Sequence, residues 1–154
     1  MNEYHNSTIS SGNELNDRGL QFLNSGKYDE AINYFNKAIV RNPSVPAYFT
    51  NRAQCYLKLQ RWESACHDCR NAIGLDSNHA EGYHFLGLAL LELQRYDEAI
   101  KNILRGYFAA MEQNQVSFKN NDTCKQVESA INKRRASQGK KPIVVVGFST
   151  RVSF

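Results

Sequence analysis

The residues of this chain with the clearest capacity for chemistry lie in Cys66-His67-Asp68-Cys69, where two thiols stand either side of a two-residue gap. That gap suits zinc binding or dithiol redox chemistry. Tetrahedral zinc needs a second pair of ligands, however, and Cys55, His79 and His84 stand at no recognised ligand spacing. Cys69 also falls on the apolar face of a helical pattern, where a thiol packs as a small hydrophobe. Core packing is the reading carried forward, with metal or redox chemistry as the alternative. His67, His79 and His84 form no recognisable arrangement with a Ser or Cys nucleophile, so no catalytic residue, metal or cofactor is expected.

A second chemical candidate is Arg134-Arg135-Ala136-Ser137, inside the basic run Lys133 to Lys141. Ser137 suits a basic-directed kinase, and a phosphate there would set about −2 charge beside the cations. The same run also reads as a solvated charged end or as a nuclear-import or polyanion patch. Nineteen Lys+Arg against fifteen Asp+Glu give a net charge of +4, too mild and scattered to imply nucleic acid. No apolar run approaches the roughly 18 residues of a membrane span, and residues 1–5 lack a signal-peptide pattern. A cytoplasmic or nuclear protein with reduced thiols is the expectation, which leaves the sequons at Asn6 and Asn121 without a role.

The elements that must position these residues repeat. Tyr28-Asp29-Glu30-Ala31, Trp62-Glu63-Ser64-Ala65 and Tyr96-Asp97-Glu98-Ala99 place Ala31, Ala65 and Ala99 34 residues apart, twice, without insertion. A fixed 34-residue period is that of the tetratricopeptide (TPR) helix hairpin. Leu15, Gly19, Phe22 and Leu23 begin a first helix, with Asn13 as its N-cap; Ala31, Ile32, Phe35, Ala38 and Ile39 share one face of its partner, which stops at Asn42-Pro43. Small residues at Gly19, Ala53 and Gly87, facing Ala31, Ala65 and Ala99, would let the helices of each hairpin approach closely, while Phe35 and Ile103 fill the space toward the next hairpin. The expected fold is an all-α TPR solenoid: a tail over 1–12, repeats over 13–44, 46–78 and 80–113, a capping helix over 122–135 begun at Asp122 or Thr123, and a basic, then apolar, tail over 136–154. That tail has strand composition and no partner strand. It is expected to be loosely ordered, to dock on the array, or to be an aggregation liability.

The runs around the repeats carry a more particular likeness. Residues 15–19 (Leu-Asn-Asp-Arg-Gly), 38–43 (Ala-Ile-Val-Arg-Asn-Pro), 48–58 (Tyr-Phe-Thr-Asn-Arg-Ala-Gln-Cys-Tyr-Leu-Lys), 84–87 (His-Phe-Leu-Gly) and 130–135 (Ala-Ile-Asn-Lys-Arg-Arg) resemble the TPR domain of the CHIP family of co-chaperone ubiquitin ligases. The resemblance implies a groove that binds the tails of heat-shock chaperones, holding the carboxylates of a C-terminal Asp with lysines and asparagines. It covers residues 13 to about 135; the family's ligase module, a U-box, needs roughly 70 residues. The expectation is therefore a non-catalytic peptide-binding adaptor. The alternatives are a truncated or partner-dependent ligase component and a TPR scaffold with a non-chaperone ligand.

Carried over position by position, the family's clamp falls on Asn16 and Leu20 in the first repeat, Asn51 in the second and Glu81 in the third; only Asn51 keeps the expected type. Lys58 and Phe85 match the family's flanking cation and aromatic contact, and His84 is a further candidate contact. The expected concave face carries Asp17, Glu81 and Glu92 against Lys58, with Asn13, Asn16, Thr50, Asn51, Gln54 and His84 as neutral polar groups. Charge-assisted hydrogen bonds are worth about 1.5–3 kcal/mol each, so these losses should weaken an Asp-ended tail on the order of a thousandfold. A basic or neutral peptide is the alternative ligand; the sequence leaves the oligomeric state open.

Overall fold

A computed structural model describes residues 10–113 and 120–144, and expectations for the other segments lie outside the described residues. Seven helices follow in order: α1 (Gly12–Asn24), α2 (Tyr28–Arg41), α3 (Pro46–Lys58), α4 (Trp62–Leu75), α5 (Ala80–Glu92), α6 (Tyr96–Glu112) and α7 (Asn120–Ser137). The pairs α1/α2, α3/α4 and α5/α6 pack as hairpins, neighbouring hairpins stack, and α7 covers α6. This is the all-α TPR solenoid. None of the described helices is long and apolar enough to cross a membrane.

The tight turn inside each hairpin has one physical solution used three times. Gly26, Gln60 and Gln94, at 34-residue spacing, take positive φ of 74°, 58° and 59°. The next residue's N–H then reaches back to the helix, Lys27 to the Phe22 carbonyl, Arg61 to Tyr56 and Arg95 to Leu90. That pattern terminates a helix by satisfying its last carbonyls, and glycine reaches it without steric cost.

Several local expectations need correction. Asn13 is not the N-cap: Ser11 caps α1, its hydroxyl accepting from the Glu14 N–H while Glu14 returns the bond to the Ser11 N–H. Ser11 and Gly12 thus belong to the array rather than to a tail, because a capping box satisfies two free donors at once. The Gly19 and Gly87 Cα atoms are covered chiefly by Phe35 and Ile103 of their own hairpins, with Ala99 contributing its carbonyl beside Gly87. Phe35 and Ile103 therefore fill space within the hairpin as well as beyond it. Helix α7 already begins at Asn120, which puts Asp122 and Thr123 in its first turn. Its Cys124, Val127 and Ala130 are buried, and Ile131 packs against the same core.

Beyond α7 the chain reverses at Gly139, whose φ is +67°. Asn132 then exchanges two hydrogen bonds with Ile143, donating from Nδ2 to its carbonyl (2.9 Å) and accepting its N–H (2.8 Å), while Arg135 donates to the Lys141 carbonyl. The start of the tail therefore docks on the capping helix itself. Ion pairs Arg134–Asp97 (2.8 Å) and Lys133–Glu92 (3.9 Å) join α7 to the third hairpin. Ser137, the last residue of α7, is exposed and donates to the Arg134 carbonyl.

Candidate peptide-binding groove

The 34-residue register sets the first helices of the hairpins side by side, so residues 13, 17, 20 and 24 of α1 correspond to 47, 51, 54 and 58 of α3 and to 81, 85, 88 and 92 of α5. Steps of three and four keep each set on one helical face. Between α3 and α5 this face opens into a cavity of about 330 Å³. Gln54, Leu57 and Lys58 come from α3, Trp62 from the start of α4, and Phe85, Leu88, Leu91 and Glu92 from α5. The walls are mainly apolar, with one cation and one carboxylate at the rim, a composition suited to a side chain of an extended peptide.

Of the predicted groove residues, Gln54, Lys58 and Phe85 meet at this cavity. Asn16 and Asn51 meet each other instead: the Asn51 amide donates to Asn16 Oδ1 at 2.9 Å. Leu20 is half-buried one turn further along α1, and Glu81 is exposed one turn before Phe85 on α5. Asn13 is occupied by the hydroxyl of Tyr48, which donates to its Oδ1. Burial first, and then the nearby Asp17 carboxylate, push the Tyr48 hydroxyl above its usual pKa. Thr50 departs from expectation, being fully buried and bonded to the Ala47 carbonyl rather than lining the groove. His84 packs its ring 5.6 Å from that of Phe85, and burial pushes its pKa down.

Sequence reasoning missed Trp62 as a cavity wall, together with Leu57, Leu88 and Leu91. Equivalence to Leu20 and Gln54 marks Leu88, but Trp62 belongs to the hairpin turn and reads as packing alone. It also missed a buried pair behind the groove. Arg52 donates from Nε and Nη2 to the two oxygens of Asp68, both at 2.7 Å, and from Nη1 to Asn36 Oδ1 at 2.6 Å. Asp68 is 1% exposed and the Arg52 side chain 17%.

Cys66 and Cys69, three residues apart on one face of α4, are buried in the core, whereas His67 is exposed. His79 lies by Thr50 and Asp76. Burial raises the thiol pKa of Cys66 and Cys69 and lifts Cys55 to about 12. In a Cys124→Ser background, the native protein at about pH 8 should react with an aromatic disulfide reagent only at the rate of unfolding. Rapid labelling of Cys66 or Cys69 would contradict their packing role.

A family model described as anaphase-promoting complex, cyclosome, subunit 3 matches residues 20–106, more than half of the chain. A solved structure, the second TPR of Spaghetti bound to the HSP90 peptide SRMEEVD, is 30% identical with a TM-score of 0.63, covering 65% of this chain and 93% of that one. The chain belongs to this tetratricopeptide-repeat family. The E3 ubiquitin-protein ligase CHIP of Arabidopsis thaliana is 36% identical over 91 residues, 59% of this chain and 33% of that protein. Hsp70-Hsp90 organizing protein 2 of the same plant is 33% identical over 104 residues, 68% of this chain and 18% of that protein. The likeness to CHIP is thus one of several of similar strength. The chain spans a third or less of the length of these curated relatives.

Proposed function

We propose that this chain is a peptide-binding module of the co-chaperone type, holding an extended segment of a partner protein along α1, α3 and α5. The observation that carries the reading is the apolar cavity between α3 and α5, on the face that equivalent residues of all three hairpins share. Its support from relatives is the 30% identical TPR whose structure contains an HSP90 peptide. At the position of the family's carboxylate clamp, however, this chain offers Asn16, Leu20 and Glu81 beside Asn51. An Asp-ended chaperone tail should bind weakly.

Calorimetric titration with SRMEEVD is expected to give a dissociation constant above about 100 μM. The triple variant Asn16→Lys, Leu20→Asn, Glu81→Lys should tighten it on the order of a thousandfold, since each restored charge-assisted bond contributes about 1.5–3 kcal/mol. Binding below about 10 μM by the wild type would overturn the weakened-clamp reading. A second reading, favoured by the 36% identity to the plant ligase, makes the same groove the recruiting arm of a ubiquitin ligase. Ubiquitin transfer to a groove-bound peptide by the complete ligase is its test.

A further inference from the structure

One end of the groove presents two carboxylates, Glu81 at a position where the resemblance implies a lysine and Asp17 on α1, and the charge differs from that end of the face to the other. Asp17, Asn51 and Phe85 occupy equivalent positions on α1, α3 and α5. Glu81 lies one helical turn before Phe85 and is equivalent to Ala47, so Asp17 is in register with Asn51 and Glu81 stands one turn nearer the helix N-termini on the same shared face. Both carboxylates are exposed, and neither has a salt-bridge partner among the described residues. Asn51 spends one amide N–H on Asn16, and its own Oδ1 remains an acceptor. This end of the groove therefore offers acceptors and negative charge, and the one lysine that α1, α3 and α5 place on the shared face, Lys58, lies at the other end.

The other end is different. Lys58 and Glu92 stand at the rim of the apolar cavity, and Lys133 of α7 lies 3.9 Å from Glu92. Two cations against one carboxylate make this end mildly positive. Between the two ends, Phe85 and Leu88 continue the face as an apolar stripe. A ligand complementary to all three parts is basic toward Asp17 and Glu81, aliphatic or aromatic at the cavity, and neutral or acidic beyond it.

We infer that the groove takes an extended peptide in which lysine or arginine side chains face Asp17 and Glu81 while an apolar side chain enters the α3–α5 cavity, with no requirement for a terminal carboxylate. The inference rests on the groove being the binding face and deepens that reading by assigning the ligand's charge. Its physical basis is complementarity: like charges set against each other in a partly desolvated groove penalise the wrong ligand, and opposite charges speed and orient the right one. Exposed carboxylates give modest attraction each, so the effect should weaken as salt rises.

Fluorescence anisotropy with three labelled heptapeptides tests it. The first is SRMEEVD with a free C-terminus, the second replaces its two glutamates and aspartate with lysine, the third replaces them with glutamine and asparagine, and the last two are amidated. The lysine peptide should bind at least about tenfold tighter than the parent and about threefold tighter than the neutral one, with the advantage shrinking at high salt. Asp17→Asn combined with Glu81→Gln should bring the lysine peptide down to the neutral one. Leu88→Arg should abolish binding by closing the cavity; Gln54→Arg, at a half-buried polar position of the same wall, provides a second blocking variant, and circular dichroism verifies folding of each. Equal or tighter binding of the acidic parent would overturn the charge assignment and leave the groove reading standing. Binding that survives both blocking variants would overturn the groove reading, and no binding of any of the three at about 1 mM would overturn both.

Discussion

Replacing Arg52 with methionine is expected to cost about 3–5 kcal/mol of stability, the largest effect of any single substitution considered for this chain. The reason is what the change leaves behind. Asp68 is 1% exposed and receives two hydrogen bonds at 2.7 Å from the guanidinium. Methionine fills much of the same space without a donor, stranding a carboxylate away from water. The guanidinium also reaches Asn36 on α2 and lies over the rings of Phe49 and Tyr56, so one side chain ties α2, α3 and α4 together.

With a urea dependence of about 2 kcal/mol/M, that cost corresponds to a midpoint about 1.5–2.5 M lower. The double variant Arg52→Met, Asp68→Leu should recover most of the loss, because a well-packed apolar pair often equals a buried ion pair in stability. A single Arg52→Met variant within about 1 kcal/mol of wild type would mean that water reaches Asp68 and that the pair is not buried in solution.

The 34-residue period made the hairpins and the registers of their faces legible, since repeated alanines at Ala31, Ala65 and Ala99 report close packing without any knowledge of tertiary contacts. The Arg52–Asp68 pair was hidden for a specific reason. Arg52 sits within a run that resembles a family motif, and Asp68 within a two-cysteine motif that draws attention to metal chemistry. The spacing of 16 residues between them is nevertheless the spacing of Gly19 to Phe35, Ala53 to Cys69 and Gly87 to Ile103, the distance that brings the two helices of a hairpin face to face. The groove was legible in its polar positions but not in its depth. Trp62 reaches the cavity from the start of α4, a placement set by the hairpin turn at positive-φ Gln60 rather than by helical periodicity. Asn13 and Asn16 were legible as polar groups, whereas their commitment to Tyr48 and Asn51 depends on how α1 lies against α3.

The 16-residue pairing also predicts a substitution whose sign runs against helix propensity. In a solvent-exposed helix, changing glycine to alanine stabilises by roughly 0.5–1 kcal/mol. Gly74 in α4, with open space where a Cβ would stand, should show that gain. Gly87 should not. A Cβ there would collide with the Ile103 Cγ1 and lie 3.2 Å from the Ile103 nitrogen and 3.3 Å from the Ala99 carbonyl. Overpacking of this kind costs about 1–3 kcal/mol, so Gly87→Ala should destabilise by about 1–2 kcal/mol after the propensity gain. The second hairpin shows the compensation, since Ala53 there stands opposite Cys69, whose single γ atom can turn away. Ile103→Cys alone loses buried methyl groups and should cost about 2–3 kcal/mol. Combining it with Gly87→Ala should cost less than the sum by about 1–2 kcal/mol in a double-mutant cycle read by urea unfolding. Additive losses would mean that α5 and α6 simply move apart, whereas a stabilising Gly87→Ala would mean that their contact at Ile103 leaves room for a methyl group.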